Sequence, residues 1–229
     1  IPFIVTEHSS AFQRQKLSSS EISLAKEVFS SSKYNVAVSD VLAQDLFMLF
    51  NQDFIVIPNI VDTDYFTPAA QQNKKFTFLN VAHLNSNKNH QLLIKAFAEL
   101  VKQKDARLVI AGAGEERKNL EQLIASLGLE RKVLLFGKAT RKEVKVLMQQ
   151  ANCFVLSSKV ETFGVVLIEA MACGIPVIST KCGGPNKLID ADLGILCSLN
   201  ISSLHQSMFD MIVKKIDRKL IRKKAVERY

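Results

Sequence analysis

Two glutamates, Glu161 and Glu169, stand with seven residues between them inside the string CFVLSSKVETFGVVLIEAMACGIPVIST, residues 153–180. The string reads as strand, loop, helix, strand, a βαβ unit in which the helix N-terminus falls at the carboxyl end of the strand. Backbone N–H groups of about Phe163, Gly164 and Val165 would be unpaired there, and the helix dipole adds about half a positive charge. Such a place suits an anionic phosphate. Gly164 would let a ligand come close to the backbone. Glu161 sits in the loop just ahead of the helix, and Glu169 lies roughly 7.5 Å along its axis from Gly164. Carboxylates so placed are suited to neutral, hydroxyl-rich groups flanking a diphosphate, a sugar on one side and a ribose on the other. The spacing alone is met equally well by a loop acid and a solvent-facing helix acid.

A second glycine-bearing string, LVIAGAGEE at 108–116, begins as dinucleotide sites do, but Arg117 occupies the third glycine position after Gly112 and Gly114. The full G-x-G-x-x-G fingerprint is absent, which argues against an oxidoreductase. Cys153, Cys173, Cys182 and Cys197 form no CxxC pair and have no histidine cluster beside them. They read as buried reduced thiols rather than a metal site, and imply a reducing cytoplasm.

These groups need a scaffold, and the alternation of short apolar runs with longer helix-period segments from Phe76 onward supplies a parallel sheet with helical crossovers. The pattern predicts strands near 76–82, 107–111, 132–136, 153–157 and 175–179. Helical spacing covers Asn89–Lys102, Gly114–Leu127, Arg141–Gln150 and Phe163–Cys173. The result is a doubly wound α/β domain with helices on both faces, whose ligands lie beyond the carboxyl ends of the strands. Before it, strands near 2–6, 34–38 and 54–57 and helices near 18–30 and 39–49 give a smaller α/β portion. That is too little for an independent domain, and the opening IPFIVTEHSS, without Met, is expected to lie in the middle of a longer protein. The expected organisation is 1–60 as the end of an incomplete first α/β domain and 61–72 as a linker. Residues 73–213 are expected as the doubly wound, ligand-binding α/β domain, and 214–229 as a basic C-terminal helix that could cross back to the first domain.

With 229 residues, 48% of them hydrophobic and 23% charged, the chain can bury a substantial core, so disordered and collagen-like compositions are excluded. No apolar run approaches the roughly 18–20 residues needed to span a bilayer. A net charge of +8 favours an anionic partner, and much of the excess lies in KKIDRKLIRKKAVERY at 214–229. A solvated helix face explains that segment better than any specific binding surface does. No tryptophan and few aromatics among the basic residues speak against nucleic-acid binding.

ETFGVVLIE at 161–169 resembles the E-x7-E motif of retaining GT-B glycosyltransferases of glycosyltransferase family 4 (glycosyl transferases group 1). VIPNIVDTDYF at 56–66, LVIAGAGEE at 108–116, VLLFGK at 133–138, EAMACGIPVIS at 169–179 and CGGP at 182–185 fall in that family's order and spacing. The resemblance implies that Glu161 binds donor-sugar hydroxyls, with Thr162 and the Phe163, Gly164 and Val165 amides near the sugar and diphosphate. Glu169 would take the ribose hydroxyls. Lys88, in VAHLNSNKNHQ, matches the lysine that neutralises the diphosphate, and Gly112 and Lys138 join the donor-binding set. TEHSS at 6–10 resembles the strand-end motif that presents a histidine to the cleft, so His8 joins Lys88 and Glu161 as catalytic candidates. His90 and His205 are expected to be structural. Two positions depart from the family pattern. His83 stands where an arginine is usual, and an imidazole lacks the fixed charge and bidentate fork of a guanidinium. Asn186 and Lys187 follow CGGP where an acid is frequent.

The resemblance implies an EC 2.4-class hexosyltransferase that moves a sugar from a UDP-sugar or GDP-sugar to a glycan or lipid-linked acceptor. Retention, a role in cell-surface polysaccharide biosynthesis and a cytoplasmic location, peripheral at the inner membrane face, follow from the same likeness. No metal and no separate cofactor are expected. The fragment by itself would bind donor without transferring it. A non-catalytic nucleotide-sugar binding module and a GT-B sugar-nucleotide epimerase are the alternatives.

Overall fold

The computed structural model describes residues 1–69 and 75–229, so the end of the expected 61–72 linker and the first residues after it lie outside the described residues. The first sixty residues form β1 (Ile4–Glu7), α1 (Ser19–Ser31), β2 (Tyr34–Ala37), α2 (Asp40–Phe50) and β3 (Ile55–Val56). The three strands pair in parallel in the order β1-β2-β3. Next come β4 (Phe76–Val81), α3 (His90–Leu100), β5 (Ala106–Ala111), α4 (Arg117–Ser126), β6 (Val133–Gly137) and α5 (Arg141–Gln150). The chain continues through β7 (Cys153–Leu156), α6 (Val165–Ala172), β8 (Val177–Thr180), α7 (Pro185–Leu188), β9 (Gly194–Cys197), α8 (Ile201–Val213) and α9 (Arg218–Arg228).

The second sheet is parallel throughout, in the order β6-β5-β4-β7-β8-β9. Every residue of β7 and β8 is buried, which explains why CFVL and VIST read as continuous apolar or small runs rather than alternating ones. The order reverses between β4 and β7, so the chains leaving these two strands diverge and open a crevice at their carboxyl ends. Both loops that carry Lys88 and Glu161 start there.

Helix ends follow local chemistry. Ser18 and Thr140 each form a capping box with an acid three residues on, Glu21 and Glu143. α6, VVLIEAMA, is apolar nearly all round because it is packed on several sides, and α9 lies along it. One hydrophobic cluster joins Leu42, Leu46 and Phe50 of α2 to Phe163, Leu167 and Ile168 at and within α6, so the two sheets share packing.

The basic C-terminal helix turns much of its charge inward. Arg222 donates to Ala172 O at 2.6 Å, Phe66 O at 2.9 Å and Thr63 O at 3.2 Å, fastening the linker to the end of α6. Arg218 donates to Gly174 O, and Lys224 and Arg228 engage Asp190. Tyr229 packs edge-on to Phe163. Lys215, Lys219 and Lys223 of this segment are exposed with at most a loose ion pair, and exposed Lys214 donates to Ala191 O.

β9 and α8 had no counterpart in the sequence reading. GILC is a short strand half-buried at its centre, and ISSLHQSMFDMIV opens on serines that mask its apolar face. The strand expected at 175–179 begins at Val177, because Pro176 has no N–H to give the ladder and contributes only its carbonyl, to Phe154 N at 2.9 Å. All four cysteines are free and buried. Among the described residues no helix is long and apolar enough to cross a membrane.

Candidate functional site

Lys88 is held by its own turn. The Asn85 carboxamide oxygen accepts from the amides of Asn87 and Lys88, an Asx turn that sets the backbone ahead of α3. His90 at the start of α3 points the other way, into the core, where its Nε2 donates to Asn80 Oδ1 at 2.9 Å while Asn80 donates to Val155 O. Burial first, and the Lys88 and His83 charges second, push the His90 pKa down to about 4, so the ring is neutral and structural.

The loop after β7 is stitched to this turn. Ser157 Oγ donates to Lys88 O at 2.9 Å, Lys159 N to Asn87 O at 2.8 Å, and the Asn87 carboxamide to Val160 O at 2.9 Å. No local pattern singles out Asn80, Asn87 or Ser157, because each works through a partner about seventy residues away. Across the stitch, Lys88 Nζ meets Glu161 Oε1 at 2.6 Å, and Ser158 Oγ donates to the same oxygen at 2.6 Å. The pair is mostly enclosed, with 24% and 14% of the two side chains exposed. Ser158 is itself placed by Thr180, whose hydroxyl donates to Ser158 O.

Glu161 is fixed on its main chain too. Its amide donates to Cys182 O at 2.7 Å and its carbonyl accepts from Gly184 N at 2.8 Å. Gly183 takes φ +109° at this bridge, and a Cβ there would lie 2.6 Å from Glu161 O. The CGGP string therefore keeps a close backbone crossing possible.

At the N-terminus of α6, Gly164 takes φ +105° and no side chain caps the helix. Among the described residues none accepts a hydrogen bond from the Phe163 or Gly164 amide. The positive end of α6 is thus available beside the Lys88–Glu161 pair, as an anion site requires. One turn on, Glu169 is half-buried, with no ion pair among the described residues. Burial lifts its carboxyl to about 7, against the opposing pull of Arg141.

His83, Gly112 and Lys138 line one open cleft of about 460 Å³ at the carboxyl ends of β4, β5 and β6, with Ala82, Ala113 and Ala139 between them. Gly112 has φ +155°, and a Cβ there would be 1.8 Å from Ala82 O, so only glycine fits. His83 Nε2 lies 3.4 Å from Glu115 Oε2 on the rim. His8 is exposed at the end of β1, and its carbonyl accepts from Thr162 Oγ1 at 3.0 Å, which brings the TEHSS segment onto the loop between Glu161 and Gly164. Asn186 and Lys187 are exposed on α7.

The sequence contains two Asp-x-Asp triplets, Asp62–Asp64 and Asp190–Asp192. Asp62 accepts from Tyr65 N, while Asp190 and Asp192 are both bound by Lys224. Among the described residues no three acids, histidines or cysteines are grouped as a metal site would need.

The family model described as "Glycosyl transferases group 1" matches residues 62–228. N-acetyl-alpha-D-glucosaminyl L-malate synthase of Bacillus anthracis is 34% identical over 159 residues, 65% of this chain and 41% of that protein. The N-acetylgalactosamine-N,N'-diacetylbacillosaminyl-diphospho-undecaprenol 4-alpha-N-acetylgalactosaminyltransferase of Campylobacter jejuni is 37% identical over 153 residues, 66% of this chain and 41% of that one. The chain thus spans less than half the length of these curated relatives. Among solved structures, S. aureus TarM in complex with fondaparinux, alpha-GlcNAc-glycerol and UDP superposes with a TM-score of 0.85 at 18% identity, over 99% of this chain and 47% of that one. That likeness concerns the fold, which is the GT-B arrangement.

Proposed function

The chain belongs to the glycosyl transferases group 1 family, and from that premise we propose that it is the donor side of an enzyme that transfers a sugar from a nucleoside diphosphate sugar to a glycan or lipid-linked acceptor. The observation that carries the reading is the enclosed Lys88–Glu161 pair at 2.6 Å beside the uncapped N-terminus of α6. Lys88 and the α6 amides take the diphosphate, Glu161 the sugar, and Glu169 the ribose. His83, Gly112 and Lys138 complete the donor cleft, and His8 faces the sugar from the side of the first sheet.

In this reading the bond between the anomeric carbon and the β-phosphate oxygen breaks as the acceptor oxygen bonds to that carbon on the same face, with retention. The acceptor proton passes to the departing phosphate. Lys88 and the helix terminus stabilise the charge that grows on the diphosphate, and no metal or cofactor is called upon. The half-buried Glu169 contributes binding rather than chemistry. Reduced, buried thiols suit a cytoplasmic site of action, the exposed Lys215, Lys219 and Lys223 suit an anionic membrane face, and the reading involves no nucleic acid. Cell-surface polysaccharide assembly is the proposed setting.

The test is thermal denaturation of the full-length protein with a panel of nucleoside diphosphate sugars. A donor at ~100 times its Kd adds about 2.7 kcal/mol to stability. The expected result is a raised Tm with one UDP- or GDP-sugar and with its free diphosphate. No shift with any of them would overturn the reading.

A further inference from the structure

α6 is eight residues long, about 12 Å, and both of its ends are fastened to the first third of the chain. At the carboxyl end Arg222 gathers Ala172 O together with Thr63 O and Phe66 O of the linker. At the amino end the fastening falls to Thr162. Its carbonyl accepts from Ser39 Oγ at 2.6 Å, and its hydroxyl donates to His8 O at 3.0 Å. Ser39 also accepts from Leu42 N at 3.2 Å, so its one proton goes to Thr162 while its oxygen caps α2.

The two fastenings differ in strength. A guanidinium shared among three carbonyls makes charge-assisted hydrogen bonds, whereas the amino end has two neutral ones, from Ser39 Oγ and to His8 O, the second of them exposed. Cys182 and Gly184 hold the Glu161 main chain independently of the fastening at Thr162.

We propose that Thr162 is a positioning residue, a catch that holds the two sheets together at the donor end of α6 and, through the His8 carbonyl, sets where the His8 imidazole stands relative to Glu161 and Lys88. This rests on the donor-site reading above. Because the catch touches His8 and leaves Glu161 and the α6 amides in place, its loss lowers turnover and leaves nucleotide affinity alone.

The experiment compares Thr162→Val, which keeps the shape and removes the hydroxyl, with Thr162→Ser, which keeps the hydroxyl, in full-length enzyme. Thr162→Val is expected to lower kcat about 2- to 13-fold, the effect of one neutral hydrogen bond, with the Kd of free nucleoside diphosphate changed less than ~2-fold. Thr162→Ser should recover most of the loss. His8→Ala combined with Thr162→Val should be no slower than His8→Ala alone, since the catch acts through that ring. Amide hydrogen exchange across residues 8–11 should quicken in Thr162→Val and not in Thr162→Ser. Unchanged exchange, equal impairment of the two variants, or additive loss in the double variant would overturn the proposal. A wild-type protein that binds no nucleoside diphosphate sugar would sink the donor reading instead, and the exchange data would still judge the catch.

Discussion

Lys88 Nζ lies 2.6 Å from Glu161 Oε1 across 73 residues of chain, and Ser158 donates to the same oxygen. On the function proposed above, the cation assigned to phosphate is paired with the acid assigned to sugar, and donor entry would exchange this contact for two others, with part of the binding energy going into separating the pair.

Glu161→Gln weakens that contact and leaves Lys88 free. The variant should bind free nucleoside diphosphate several-fold more tightly, of order 1 kcal/mol, while transfer falls sharply. Titration calorimetry beside a transfer assay checks it. Weaker diphosphate binding would mean that the pair does not compete with the ligand.

Lys88→Ala should reduce kcat by more than it weakens donor binding, since a charge that grows as the glycosidic bond breaks is stabilised most in the transition state. Steady-state kinetics with an independent Kd separates the two. A change confined to the Michaelis constant would make Lys88 a ground-state contact.

Glu169 titrates at about 7 in the folded chain against an ordinary value of 4.5. The folded state therefore keeps a proton that the unfolded state has lost, and stability falls as pH rises from about 4.5 to about 7. Glu169→Gln should remove this slope and be the more stable form above pH 7, by on the order of 1–3 kcal/mol after allowing for partial solvation. Ribose hydroxyls favour the carboxylate, so nucleotide affinity should weaken in the wild type below pH 7 and stay flat in the variant, whose binding at pH 8 is weaker by about 1–3 kcal/mol. Denaturation midpoints and calorimetry between pH 5 and pH 8, in on the order of half-unit steps, decide it.

His90 behaves oppositely. Its folded value of about 4 lies below the ordinary 6.5, so stability is lost as pH falls from about 6.5 towards 4. His90→Gln should flatten that acid limb, while costing about 1–3 kcal/mol at pH 7 through the disturbed Asn80 bond. Urea midpoints across this range provide the check.

What the sequence revealed and what it hid divide along range. Strands β4 to β8 and their helices were legible because each apolar run or stripe is local, and the E-x7-E spacing lies within a single strand-loop-helix unit. The resemblance placed Lys88 and Glu161 in one site, but their direct contact depends on the β4–β7 order reversal, which no local pattern encodes. Asn87, Ser157 and Ser39 escaped for the same reason: ordinary polar residues whose partners are distant in the chain. The half-burial of Glu169 also comes from packing, since GVVLIEAM alone does not say which side of the helix meets solvent. The start of α5 at Arg141 was legible to the residue, and the Ser18–Glu21 capping box would have fixed that of α1 as well.

The four cysteines give the fold a built-in clock. Burial pushes Cys173 up to about 12 and Cys182 and Cys197 up to about 11, and raises Cys153 as well, so a thiol reagent finds neither access nor thiolate in the closed chain. Labelling waits for local opening. Cys153 and Cys197 lie in β7 and β9, Cys173 ends α6, and Cys182 receives the Glu161 amide at its carbonyl. Timing each modification separately would therefore map, strand by strand, which part of the sheet breathes first and whether a bound donor slows the loop at Cys182 alone.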